Sequence, residues 1–127
     1  WIQQGKVEGS RPEEGGFFGD ELGFSVSISG DTAVAGAPFA GDFTMRGVAI
    51  IIAFNGFTWT EQARLTRRDT IPPGSVFGWS VSNSESRMSR VALVGDEINN
   101  CAFIFRSQPN TITTSTTSMS TTPTKPP

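Results

Sequence analysis

The sequence predicts an all-β fold made of two related four-stranded antiparallel sheets, and three observations support this prediction. Residues 24–29 alternate apolar and serine side chains, which is the period of a half-buried strand. A degenerate copy of residues 22–27 begins 55 residues later, at Phe77. No stretch combines helical periodicity with capping residues. Four strands repeated over 55 to 59 residues are typical of propeller blades, so we expect a partial β-propeller.

The first repeat is predicted to follow an isolated strand at residues 1–8 and to form a blade over residues 22–66. Gly30-Asp31 has the composition of a tight turn between its first two strands. The third strand, residues 47–54, is apolar on both faces, which predicts a position inside the sheet. Asn55-Gly56 then indicates a hairpin into a fourth strand at residues 58–66.

The second repeat is predicted to form a partial blade of three strands over residues 77–106. It carries four additional residues near 86–89 and has no fourth strand of its own. Because two blades cannot close a ring, we expect strand 1–8 to serve as the missing fourth strand. We also expect either further blades of the same protein or self-association. Residues 107–127 are rich in Thr, Ser and Pro and predict a disordered tail, either an O-glycosylated stalk or a plain linker.

The composition argues against several classes of function. The chain has no histidine and one cysteine, which excludes Ser-His and Cys-His nucleophile pairs and an intrachain disulfide. The net charge of −2 gives no indication of a nucleic-acid partner, and the longest apolar run, at 48–54, is too short for membrane insertion. Cys101 lies among apolar strand residues and is predicted to be a buried, inert thiol. Arg64, Arg67 and Arg68 are predicted to be a solvated strand end.

The carboxylates do not indicate catalysis. Asp20 and Glu21 are adjacent and would point to opposite faces of a strand, and Asp31 is a turn residue. We therefore predict no catalytic residues and no cofactor. Calcium is the one alternative considered, because oxygen ligands in a tight loop suit a hard cation. Its candidate ligands, which are otherwise interpreted as turn residues, are Asp42, Asp96 and Glu97.

The aromatic side chains have two interpretations. They could form a platform for a carbohydrate, or they could pack between the blades, and their recurrence at the same phase in both repeats favours packing. The residues concerned are Phe24, Phe54, Phe57, Trp59, Phe77 and Trp79.

Several separated motifs together resemble FG-GAP repeats, the blades of integrin-α-like β-propellers. Leu22-Gly23-x-Ser25-Val26 is followed in order by Gly36-Ala37-Pro38, by Gly47-x-Ala49 and by the segment 58–65. The second repeat starts with Phe77-Gly78-x-Ser80-Val81 but has Gly95-Asp96-Glu97 where Gly-Ala-Pro is expected. The residues that we assign to the structural motif are Gly23, Phe24, Gly36, Pro38, Phe77, Gly78, Trp79 and Gly95.

The resemblance implies a seven-bladed, extracellular or cell-surface propeller that serves adhesion and ligand binding rather than catalysis. We therefore expect a secreted or cell-surface interaction module with a protein or glycan ligand. Two alternatives stay open. The chain is either a structural spacer without a ligand of its own, or a propeller segment attached to an enzyme whose catalytic part lies outside it.

Overall fold

The computed structural model describes residues 1–9, 19–41, 46–68 and 74–107, and all regular structure in these ranges is β. Seven strands form two antiparallel sheets, one of four strands and one of three. Among the described residues there is no helix that is long and apolar enough to cross a membrane. The predicted tail at 107–127 falls outside the described residues except for Ser107, the last residue of the seventh strand.

The first sheet has the order β1-β2-β3-β4, so each strand pairs with its neighbour in sequence. β3 lies in the interior, as its two apolar faces predicted, and a register shift between Ile51 and Ile52 marks a bulge against β4. The Asn55 side chain accepts hydrogen bonds from the backbone N–H groups of Phe57 and Thr58, which stabilises the predicted hairpin. The strands are β1 Ser25–Ser29, β2 Thr32–Ala37, β3 Val48–Phe54 and β4 Trp59–Leu65.

The second sheet consists of β5 Ser80–Glu85, β6 Arg90–Asp96 and β7 Cys101–Ser107. The prediction of a fourth strand from residues 1–8 is wrong, because residues 1–9 form no strand. This segment lies against the first sheet instead. A Cβ on Gly5 would stand 3.1 Å from Cβ of Trp59, and the Trp59 indole N–H donates to the side chain of Gln4 over 3.3 Å. Contact with Trp59 thus holds the segment away from the second sheet.

Cys101 begins β7, which is the edge strand of the second sheet, and its side chain is exposed. The prediction of a buried thiol is wrong. The apolar residues around Cys101 belong to a strand whose outer edge has no neighbour among the described strands, so they do not enclose it.

The two sheets share one register. Ser25 pairs with Gly36 in the first sheet, and Ser80 pairs with Gly95 in the second. Before each pair, a glycine N–H donates to the glycine carbonyl of the next strand, from Gly23 to Gly36 and from Gly78 to Gly95. The four additional residues predicted near 86–89 lie in the hairpin between β5 and β6. The sheets are therefore equivalent units, residue by residue, over their first two strands.

Each sheet has two unlike faces. We call the side that carries Val26 and Ile28 in β1, and Val81 and Asn83 in β5, the front face. The opposite side, which carries the serines of β1 and β5, is the back face. The serines of β1 are half-buried, whereas Val26 and Ile28 are 70% and 66% exposed. The polar side of β1 is therefore the more buried side, because it faces the second sheet.

The core lies between the back face of the first sheet and the front face of the second. Phe77 is fully buried there and contacts the rings of Phe103 and Phe105 with centroids 5.5 and 6.0 Å away. Val34 from the first sheet and Val94 from the second complete the buried cluster with Ala49 and Ala92. The first strands of the two sheets approach most closely, and the aromatic rings fill the space farther out.

Two glycines permit this close approach. A Cβ on Gly36 would lie 2.0 Å from the carbonyl oxygen of Gly78, which is impossible without separation of the sheets. Gly78 itself has a φ of 97°, in the region that favours glycine, and a Cβ there would lie 2.6 Å from the carbonyl oxygen of Val48. Backbone therefore packs on backbone at this point, which only residues without side chains allow.

We expect Gly36→Ala to destabilise the chain by roughly 2 kcal/mol or more, since its methyl group meets fixed backbone. Gly95→Ala is the matched control, because its methyl group meets only the Ser80 hydroxyl, at 2.3 Å, and a rotation of that side chain relieves the contact. Urea unfolding of both variants measures the difference. Equal losses of stability would contradict the close approach described here.

Candidate interaction surface and the joint between the sheets

We call the contact between the two sheets the joint. Across it, three serines of β1 bind backbone groups of β5 or of Gly78, which shortly precedes β5. The Ser25 hydroxyl donates to the carbonyl oxygen of Gly78 over 2.9 Å. The N–H of Asn83 donates to Oγ of Ser27 over 3.1 Å, and the N–H of Glu85 donates to Oγ of Ser29 over 2.9 Å. β5 is an edge strand, so these serines pair backbone groups that its own sheet leaves free. We call this arrangement the serine ladder.

A polar cluster extends the ladder at the end of the strands. The Asn83 amide donates to the carbonyl oxygen of Thr32 over 3.0 Å, and the Thr32 hydroxyl donates to the Glu85 carboxylate. Arg90 Nε lies 3.6 Å from Glu85 Oε2. This cluster is part of the joint, because residues of both sheets contribute to it. The contacts of Thr32 with Asn83 and Glu85 cross between the sheets, and Arg90 lies beside Glu85 within the second sheet.

Asp96 is at the centre of a second polar cluster at the opposite end of the strands, and its own side chain is fully buried. Its side chain accepts hydrogen bonds from Arg67 Nη1 at 2.8 Å, from the Ser75 hydroxyl at 2.5 Å and from the backbone N–H of Val76 at 3.2 Å. Asn99 donates its backbone N–H and its side-chain amide, at 3.3 and 2.9 Å. Five donors from four residues thus surround one carboxylate.

The hydrogen bonds decide the charge of Asp96. Burial raises the pKa of this carboxyl group, but the hydrogen bonds from Ser75, Asn99, Val76 and Arg67 outweigh it and lower the pKa from 3.8 to about 2. The group is therefore ionised at neutral pH and balances the buried guanidinium of Arg67. Asp96 is therefore the counter-ion of Arg67, and their ion pair connects the chain after β4 to the end of β6.

Arg67 is not part of a solvated strand end, so the prediction for this residue is wrong. Its side chain is 5% exposed, and its guanidinium carbon lies 4.9 Å from the centre of the Phe103 ring. Arg64 and Arg68 are exposed, as predicted. The signal that could have revealed the pair is Asp96 itself, since an acid at a position where an alanine is expected needs a cation once it is buried.

The structure describes two of the three calcium candidates, Asp96 and Glu97. Asp96 is buried and bound as described, Glu97 is exposed on the following turn, and Asp42 lies outside the described residues. Within the described ranges there is no group of three or more His, Cys, Asp or Glu side chains that could hold a metal ion.

The six aromatic residues occupy separate places. Phe24 contacts Trp79 across the joint with ring centroids 4.5 Å apart, and Phe39 meets both rings edge-on. Phe54 packs on Trp59 within the first sheet, at 5.3 Å. Phe77 is in the core, and Phe57 is 94% exposed in the hairpin loop. These rings therefore do not form one platform.

The front face of the first sheet is an apolar surface that the described residues leave open. Phe24 is 45% exposed, next to the more exposed Val26 and Ile28. An open groove of about 360 Å³ crosses this face. Its apolar lining is formed by Val26, Ile28, Ala33, Ala35 and Ile52.

Comparison with known families explains this architecture. Residues 1–50 match a family model described as FG-GAP repeat. This segment is similar to an FG-GAP repeat. The match includes β1, β2 and the beginning of β3, and the second sheet lies outside it. No curated protein and no solved structure matches the chain. FG-GAP repeats are a non-catalytic repeat family, typical of extracellular or cell-surface proteins.

The serine ladder can be tested by a double variant. Ser27→Ala with Ser29→Ala removes the acceptors of two β5 N–H groups, and we expect a loss of about 1 kcal/mol for each. The control is Ser82→Ala with Ser84→Ala, because these serines hold the same positions in β5 and are exposed. Chemical denaturation at low protein concentration compares the two. A control that is as unstable as the β1 variant would refute the ladder.

Asp96 predicts a specific acid dependence. Because its folded pKa of about 2 lies below the value of 3.8, its contribution to stability is complete above about pH 4 and is lost as the pH falls towards 2. We expect this loss to be about 2 kcal/mol. Unfolding free energies measured from pH 5 to pH 2 should show it.

Asp96→Asn should unfold more easily at neutral pH, by about 3 kcal/mol, because Arg67 is left as an unpaired buried charge. The same variant should no longer show the acid loss. Glu97→Gln, a change at the exposed neighbouring acid, should keep the wild-type pH profile. An unchanged profile in Asp96→Asn would contradict the assignment.

Proposed function

We propose that the chain is a non-catalytic interaction module of a secreted or cell-surface protein, and that it binds a protein partner through the front face of its first sheet. Its two equivalent sheets are then consecutive blades of a propeller-type assembly. The observation that carries the proposal is the open apolar face with its groove, formed by Val26, Ile28 and their neighbours. Apolar patches of this kind mark interaction sites on folded proteins.

A protein partner is favoured over a glycan. Sugars bind to flat, exposed aromatic rings with polar groups around them, and here the rings of Phe24, Trp79 and Phe77 contact other rings at or within the joint. The front face offers aliphatic side chains instead, which suit the apolar centre of a protein interface. The FG-GAP repeat at residues 1–50 supports the extracellular location, since the family is typical of such proteins.

A structural spacer is the second candidate function. It is favoured by the close similarity of the two sheets, because equivalent units with equivalent registers suit a stacked array as well as a binding module. The two candidates differ in what a charged front face would change. A module that binds through this face loses its partner, whereas a spacer whose contacts lie elsewhere keeps its behaviour.

The test measures binding of the labelled full chain to intact cells and extracellular matrix of the source organism. Val26→Lys with Ile28→Lys places two charges on the front face and should weaken binding by about tenfold or more. The control, Thr58→Lys with Thr60→Lys, adds the same charge at exposed positions around the start of β4 and should bind like the wild type. Unchanged binding of the front-face variant would overturn the proposal, as would a hydrolytic activity abolished by one carboxylate substitution.

A further inference from the structure

We propose that the front face of the first sheet binds the back face of the second sheet of another copy of this chain. The copies are then joined head to tail. This inference rests on the proposed function, because it names the protein that occupies the same face.

The joint within one chain shows what such a contact looks like. It brings together the back face of the first sheet and the front face of the second, and it buries Val34, Val94 and Phe77 completely. The two faces left open are the equivalents of these two surfaces. Each chain therefore carries, on its two open faces, one equivalent of each of the two surfaces that form its own joint.

The hydrogen-bonding groups of the open faces match those of the joint. Ser80, Ser82 and Ser84 hold the positions of the β1 serine ladder and are exposed. In the contact between copies, the hydroxyls of Ser82 and Ser84 accept the N–H groups of Ile28 and Gly30, which are the equivalents of Asn83 and Glu85. The Ser80 hydroxyl donates to the Gly23 carbonyl, as Ser25 donates to that of Gly78.

The glycines that permit close approach are also present on the open faces. Gly95 is the equivalent of Gly36, and Gly23 is the equivalent of Gly78, with almost the same φ, 98° against 97°. No described residue lies within 4 Å of a Cβ built on Gly23, whereas the same point at Gly78 touches the first sheet. The backbone at Gly23 thus has the conformation that makes the contact at Gly78, and its outer side is open among the described residues.

Both faces carry exposed apolar side chains. Leu93 and Ile104 are 44% and 69% exposed on the back face of the second sheet, and they meet Val26 and Ile28. In the joint, Thr32 binds the Glu85 carboxylate, but the equivalent residues in the contact between copies are Val91 and Gly30. The new contact is therefore the more apolar of the two.

The N-terminal segment completes the arrangement. Residues 1–7 resemble β4 at residues 59–65, and they lie against the first sheet at Trp59 without forming a strand. β4 is the outer strand of the first sheet and pairs with β3. By the same relation, residues 1–7 of one copy come beside β7 of the other. They then form a fourth strand of the second sheet, which has three strands among the described residues, and they cover the open edge of β7.

The experiment uses two blocked variants of the full chain. The front-blocked variant carries Val26→Lys and Ile28→Lys, and the back-blocked variant carries Ser82→Lys and Ile104→Lys, all at exposed positions. Sedimentation velocity should show that the wild type associates with rising concentration and that each blocked variant stays at the 13.6 kDa of one chain. An equimolar mixture of the two should form a dimer and nothing larger, because one intact face of each kind remains.

Two controls accompany this experiment. Thr58→Lys with Thr60→Lys should associate like the wild type. Gly95→Ala should block the back face by contact with the Gly23 carbonyl of the other copy, which keeps the test valid if the lysine variant fails to fold. A monomeric wild type at every concentration, or a blocked variant that dimerises with itself, overturns the proposal. A monomeric wild type whose cell binding still depends on Val26 and Ile28 refutes only this inference and leaves the proposed function intact.

A disulfide test locates the N-terminal segment. In the first sheet Ala49 pairs with Leu65, so the equivalent register places Ala102 of one copy opposite Val7 of the other and Cys101 opposite Glu8. Glu8→Cys should therefore form an intermolecular disulfide with Cys101 under mild oxidation. Arg87→Cys, in the exposed β5–β6 hairpin, should crosslink far less. A disulfide within one chain of Glu8→Cys would instead overturn the proposed position of the segment.

Discussion

The approach of the Gly78 carbonyl to Gly36 is the constraint on which the rest of the structure depends. It sets the separation of the two sheets at this point, where a Cβ on Gly36 would meet the carbonyl oxygen of Gly78. The serine hydroxyls reach the β5 backbone because this separation is so short. Farther from the contact the sheets diverge, and the rings of Phe77 and Phe103 fill the space that opens. The lack of a side chain at Gly36 thus determines both the polar and the apolar part of the joint.

The Asp96 cluster fastens the same joint at its other end by a different kind of interaction. An ion pair buried between Arg67 and Asp96 is costly to desolvate, and it is stable here because Ser75, Val76 and Asn99 bind the remaining carboxylate lone pairs. The pair links the chain after β4 to the last residue of β6. It therefore fixes the connection between the two sheets, which the glycine contact by itself leaves free to turn.

Local patterns predicted the strands well and their surroundings less well. The alternation at residues 24–29 and the Asn55-Gly56 turn depend on neighbouring residues, and both lie where the sequence indicated. Whether the side chains of Arg67 and Cys101 are buried depends on which distant element covers them, and a strand pattern does not contain that information. The same holds for residues 1–8, whose β4-like sequence needs a neighbouring strand and has none among the described residues. The serine side of β1 is buried for the same reason: its partner is the backbone of another sheet.

The serine ladder has a consequence for how such repeats can diverge. Because Ser27 and Ser29 bind N–H groups, their bonds to the first strand of the following sheet depend on the peptide units of that strand and not on its side chains. A change such as Ile28 in one repeat to Asn83 in the next leaves these bonds in place. A duplicated unit is thus accommodated before its sequence has adapted, and gene duplication can lengthen the array one sheet at a time.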